Sequence, residues 1–164
     1  LKRSVEKTGQ LATVVGWSIG GTYGFQEVVD ESELVDTLVT VAGDTRDNIR
    51  KSAHPLVGES GRRAMSWDPE AEEMLESIPK ATLSNGVNMY TISMSSDGVF
   101  LESSFGDPRA KENILVPGKH TTAGWNPYVW EHIGRIQGEK VARLAKVKEE
   151  FEKAGEIKIL QFPV

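Results

Sequence analysis

Leu11-Ala-Thr-Val-Val-Gly-Trp-Ser-Ile-Gly-Gly21 is the stretch on which the reading of this chain turns. Leu11 to Val15 is a short apolar run with β-branched residues, bounded by Gly9 and Gly16. Such a run predicts a strand buried inside a parallel sheet. From Ile19 to Val29 the apolar positions move to helical spacing, at Phe25, Val28 and Val29. Ser18 therefore stands in a turn between a strand and a helix, within Gly16-Trp17-Ser18-Ile19-Gly20, which matches G-x-S-x-G. A serine on such a turn lifts its hydroxyl above the sheet. The flanking glycines tolerate the strained backbone and let strand and helix approach closely. The helix start adds unpaired N–H groups and positive potential, which suit a developing oxyanion. The plain alternative is a glycine-rich turn without chemistry. A phosphate loop fits less well, because no Gly-Lys-Ser/Thr follows.

Outward from this turn, Leu34 to Ala42 reads as a second strand. Strand, helix and strand in succession predict an α/β sheet with right-handed crossovers. Before the turn, Leu1 to Thr8 reads as the end of a helix closed by Gly9. After it, Asp44 to Gly61 is polar and turn-rich. Asp68-Pro69-Glu70 then carries the residues that open a helix. Ala71, Met74, Leu75 and Ile78 share one face of it, and Pro79 is expected to end it. Val87 to Met94 and Asn113 to Val116 read as the third and fourth strands, so Thr45 to Asn85 is a helical insertion between strands. Asn126-Pro127 opens a further helix with Val129, Ile133 and Ile136 turned inward. Glu139 to Ala154 continues helically, with Val141, Leu144, Val147 and Phe151 on one side among many Lys and Glu. Gly155 stops it, and Ile157 to Phe162 is an extended tail. The expected organisation is a domain over 1–138, with the insertion at 45–85, followed by a surface or oligomer-contact helix and tail over 139–164.

At 164 residues and 18.0 kDa the chain makes at most one ordinary domain. A hydrophobic share of 38% suits a packed core rather than a disordered chain. With 19 Lys and Arg against 24 Asp and Glu, the net charge is −5. No basic block is present, which argues against a nucleic-acid partner. No apolar run is long enough to make an integral membrane protein. The absence of cysteine excludes disulfides, thiolate metal sites and cysteine nucleophiles.

A serine is a poor nucleophile until a base takes its proton. The chain has three histidines. His54 lies in the polar stretch beside Pro55, and His132 lies inside a predicted helix. His120 follows the fourth strand, in Pro117-Gly-Lys-His-Thr-Thr122. A loop at a strand's carboxyl end is where a base can reach a serine at the same sheet edge, so His120 is the expected base. A histidine needs an orienting carboxylate. Asp97 ends the third strand in Ser95-Ser-Asp-Gly98, where the plain alternative is a turn-forming Asp-Gly pair. Asp44, at the end of the second strand, is the alternative acid, and Glu102 is a further candidate. Ser18, Asp97, His120 is the order nucleophile, acid, base.

These segments resemble the α/β-hydrolase-fold serine hydrolases, among them the bacterial lipases and esterases. The carrying residues are Val14-Val-Gly-Trp-Ser-Ile-Gly-Gly21, Val35 to Gly43, Tyr90 to Gly98, Asn113 to His120 and Asn126-Pro-Tyr-Val-Trp130. The resemblance implies a parallel sheet flanked by helices. It also implies a Ser18–Asp97–His120 triad, with the backbone N–H of Ile19 as one oxyanion donor. The insertion stands where lipase-like relatives carry a lid or cap, so Met65, Trp67, Met74 and Leu75, with Trp17, are candidate substrate-binding residues. Packing of the insertion onto the core is the equal alternative for Met65, Trp67, Met74 and Leu75.

In that family, strands and a loop with a second oxyanion donor precede the nucleophile. Here one helix precedes the first strand. The expectation is a carboxyl-terminal piece of a longer hydrolase, a chain completed by a second chain or homo-oligomer, or a shortened fold. The edge of the Leu11–Val15 strand would invite such pairing. The expected activity is cleavage of small-molecule or lipid carboxylic esters through an acyl-enzyme, with no metal or organic cofactor. Thioesterase, amidase or acyltransferase chemistry would use the same residues. A non-catalytic scaffold or partner domain is the alternative from a different class.

Overall fold

Four parallel strands form one sheet in the order of the chain. A computed structural model describes residues 1–46, 73, 75–84 and 86–153. The strands are β1 (Ala12–Trp17), β2 (Val35–Val41), β3 (Asn88–Met94) and β4 (Glu112–Val116), and each pairs with the next. The helices are α1 (Lys2–Thr8), α2 (Ile19–Asp30) and α3 (Pro127–Lys153). The expected strand order is therefore the observed one.

Position in the sheet explains each strand's sequence. β2 is central and buried at every residue, and β3 is buried at all but its first. A strand covered on both faces reads as a nearly continuous apolar run, and Val-Asp-Thr-Leu-Val-Thr-Val in β2 is apolar or threonine at every position but Asp36. β4 lies at the other edge from β1 and alternates, with Ile114 and Val116 buried and Leu115 exposed. Phe25 and Val28 of α2 share one buried cluster with Val35, Leu38 and Met89, together with Leu75, Ile78 and Phe100.

Several bounds differ from expectation for local reasons. β1 runs on through Gly16 to Trp17, because its pairing with β2 continues to Val41. β2 ends one residue early, where Ala42 takes a positive φ of 47°. Pro79 sits near the start of a 3₁₀ turn, Ile78–Lys80, so the described helical residues end at Ser77. α3 is one helix of 27 residues, unbroken at Gly134 and Gly138. The chain divides into two compact units, Leu1–Val129 and Trp130–Val164. The expected helix start at Asp68, the base candidate His54 and the tail Ile157–Phe162 lie outside the described residues. Among the described residues, no helix is long and apolar enough to cross a membrane.

Candidate active site

The turn from β1 into α2 is built by close approach. Ser18 has φ 56° and ψ −130°, a conformation few non-glycine residues hold. Its N–H donates to the Val41 carbonyl at 2.8 Å, and its carbonyl accepts the Gly21 N–H at 2.9 Å. Gly16 permits this packing, since a Cβ there would lie 2.3 Å from the Gly20 carbonyl oxygen. Gly43 acts similarly from just past the end of β2, where a Cβ would lie 2.7 Å from the Ser18 carbonyl oxygen. Gly20, the second glycine of the motif, has open space around its Cβ position.

Ser18 occupies the N-cap of α2 yet makes no capping hydrogen bond. A serine there ordinarily spends its side chain on the helix N–H groups. Instead its Oγ lies 2.8 Å from Nε2 of His120. The Ile19 N–H, at the first position of α2, has no carbonyl further back in the helix to bond and lies at the positive end of the helix dipole.

His120 is buried and opens a 3₁₀ turn, His120–Trp125, that follows β4. Its backbone N–H donates to the Asp97 carbonyl at 3.1 Å. Nδ1 lies 3.1 Å from each carboxylate oxygen of Asp97. A carboxylate accepts but cannot donate, so Nδ1 carries the proton and Nε2 is left to accept the Ser18 hydroxyl. Asp97 is itself held by the N–H groups of Val99 (3.0 Å) and Phe100 (2.8 Å), both donating to Oδ1. The Asp-Gly turn is thus also the cradle of the carboxylate. The Phe100 ring meets the imidazole edge-on at 5.4 Å, and Trp17 stands 6.3 Å away at a tilt.

The other candidates have different surroundings. Asp44 is buried, its carboxylate accepting the Arg46 N–H at 2.9 Å and its carbonyl the Thr22 hydroxyl at 3.1 Å. Glu102 is exposed in a 3₁₀ turn. His132 lies on α3, partly buried. Trp17 is half exposed beside His120, with Gly124 against its ring. Leu75 is buried in the core cluster with Phe25 and Ile78. Met65, Trp67 and Met74 lie outside the described residues.

One cluster, around the buried Asp107 and the part-buried Arg109, has no clear signal in the sequence. The Arg109 guanidinium donates to the carbonyls of Ile78 and Ala81, each at 2.8 Å, and to that of Thr45. It also pairs with Asp107 (2.6 Å) and stacks over Phe25 at 4.3 Å. Thr45 donates its hydroxyl to Asp107 at 2.6 Å. This cluster ties both ends of the expected insertion to the loop before β4. Burial alone would push the Asp107 carboxyl up. The hydrogen bonds from Arg109 and Thr45, with the Arg109 charge, outweigh that and hold it below the usual carboxylate value. The only sequence signal was Asp107-Pro-Arg109 in an unassigned loop.

No protein-family model and no curated protein matches the sequence. Solved structures do match in shape. Mouse alpha/beta hydrolase domain-containing protein 10 superposes with a TM-score of 0.54 at 10% identity, over 85% of this chain and 66% of that one. A mutant of the N-acyl homoserine lactonase AidH, complexed with N-hexanoyl homoserine, superposes with a TM-score of 0.51 at 15% identity, over 83% and 66%. The chain thus spans just under two thirds of each of these solved chains, and at such identities the likeness is one of fold.

Proposed function

From the premise that this chain carries the α/β-hydrolase fold, we propose that it is a serine hydrolase that cleaves carboxylic esters through an acyl-enzyme. The observation that carries this reading is the bridging position of His120, 2.8 Å from Ser18 on one side and 3.1 Å from Asp97 on the other.

In this mechanism Nε2 of His120 takes the Ser18 proton as Oγ attacks the ester carbonyl. The tetrahedral oxyanion forms at the start of α2, where the Ile19 N–H meets it. Full acyl-transfer rate calls for a second donor, which in this reading comes from an upstream segment or a second chain. Collapse expels the alcohol, protonated by His120, and leaves the acyl group on Ser18. Water then attacks under the same base. Asp97 keeps the ring in the tautomer that accepts from Ser18 and stabilises the imidazolium that forms. Thioesters and amides would follow the same steps. Trp17, half exposed beside the imidazole, is the described side chain best placed to touch the bound acyl or alcohol group.

Pre-steady-state kinetics with a chromogenic acetate ester test the proposal. A burst of alcohol release, with an acetyl adduct on the peptide carrying Ser18, is the expected result. A folded chain that releases alcohol no faster than solution, and carries no adduct, would support the scaffold reading instead.

A further inference from the structure

We infer that Phe100 is a positioning residue for the base, whose ring steadies the imidazole of His120 while its main chain steadies the carboxylate of Asp97. For its effect on turnover the inference rests on the serine hydrolase reading above. Both contacts belong to one residue. The Phe100 N–H donates to Oδ1 of Asp97 at 2.8 Å. Its ring meets the imidazole edge-on, with 5.4 Å between centroids and 65° between planes, inside the range in which aromatic pairs attract. Phe100 is 4% exposed and belongs to the buried cluster with Phe25, Leu38, Ile78 and Met89. Close packing therefore holds the ring in place. Trp17, the other ring near His120, is 47% exposed and stands 6.3 Å away, so it makes no comparable wall.

The hydrogen bonds of His120 leave one motion open. Its backbone N–H, 3.1 Å from the Asp97 carbonyl, fixes the main chain. Nδ1 stands 3.1 Å from both carboxylate oxygens. That is longer than the ~2.7–2.9 Å of a tight charge-assisted bond, and one proton is shared between two acceptors. The χ2 torsion of histidine is broad. The ring would rock about it as Nδ1 passes between the two oxygens. Each swing would carry Nε2 off its 2.8 Å approach to Ser18 Oγ. A buried ring against the imidazole limits that swing. It also keeps water from that side of the imidazole, where water would weaken the pairing with Asp97.

Phe100→Leu and Phe100→Met test the inference, since each keeps the main-chain N–H and an apolar side chain. Phe25→Leu is the control, because it removes a ring from the same buried cluster at a place where that ring meets Arg109. Circular dichroism confirms which variants fold. Ester kinetics are read beside the proton NMR signal of the His120 Nδ1–H, assigned by its absence in His120→Gln. The expected result is a kcat about 10- to 100-fold lower in the Phe100 variants, as for a misplaced catalytic group, with KM unchanged. The Nδ1–H signal is expected to be lost to exchange with water in the same variants, and Phe25→Leu to keep both. Phe100 variants that retain the signal and kcat, or lose no more than Phe25→Leu does, overturn the inference. So does a parent chain that lacks the signal. A parent with the signal but without turnover overturns the hydrolase reading alone, and loss of the signal in the Phe100 variants then still supports the positioning role.

Discussion

His120 Nε2 and Ser18 Oγ lie 2.8 Å apart although 102 residues of chain separate them. The sheet closes that distance. β1 delivers Ser18 at its carboxyl end, β4 delivers His120 just past its own, and parallel pairing puts both ends on one edge. β3 ends between them in sequence and supplies Asp97 to the far side of the imidazole. In open α/β sheets, the edge at the strands' carboxyl ends is where ligands are bound.

The roles proposed for the three residues are separable. Ser18→Ala is expected to abolish ester turnover, and His120→Ala to lower it by orders of magnitude. Asp97→Asn should cost roughly 10³- to 10⁴-fold in kcat, because an amide no longer enforces the accepting tautomer of Nε2. Asp44→Asn should retain turnover. Steady-state kinetics alongside thermal melts check this. Full activity in Asp97→Asn with loss in Asp44→Asn would move the acid role to Asp44.

The two glycines of the motif should behave oppositely. A methyl at Gly16 would enter the backbone of Gly20 and Gly21, at 2.3 to 2.6 Å, with no flexible atom to give way. Gly16→Ala is expected to destabilise by about 1–3 kcal/mol or more, as overpacking does. Gly20 lies in the first turn of α2 with nothing within 4 Å of its Cβ position. Gly20→Ala should leave stability unchanged or raise it by up to about 1 kcal/mol, since alanine is the better helix former. Chemical denaturation of both variants decides it. Equal losses would contradict the packing described for this turn.

The strands and the turn were legible because each has a local signature. β1, β2 and β3 are mostly apolar or threonine runs, and Gly16-Trp-Ser-Ile-Gly20 marks the switch of period from strand to helix. That Ser18, His120 and Asp97 come together was legible from their positions at strand ends. The 3₁₀ turn at His120–Trp125 was read as a loop, because one short turn has no periodicity to detect. The Arg109 cluster was not legible at all. Its partners Thr45, Ile78 and Ala81 are 28 to 64 residues away in sequence and contribute backbone carbonyls, which carry no side-chain signal. Leu75 illustrates a related limit, since an apolar residue on a helix face reads the same whether it lines a pocket or fills a core.

Asp107 and Arg109 make a stability prediction with a definite pH sign. The Asp107 carboxyl titrates lower in the folded chain than its unfolded value of about 3.9. Its contribution is therefore complete above that value and is lost as pH falls through the folded one. Thermal melts between pH 7 and pH 3 should show a steeper acid loss in the parent than in Asp107→Asn. Arg109→Met, which leaves the buried Asp107 unpaired, should cost about 3–5 kcal/mol at neutral pH. A parent and Asp107→Asn with parallel acid profiles would show that the ion pair contributes little.

The central claim, that Ser18 is an activated nucleophile, is tested most directly by reaction with a fluorophosphonate, read by mass spectrometry of the proteolysed chain. The account predicts one adduct, on Ser18, absent in Ser18→Ala and formed orders of magnitude more slowly in Asp97→Asn. A folded chain that gains no adduct at Ser18, or that labels Ser18 equally fast without Asp97, would contradict it.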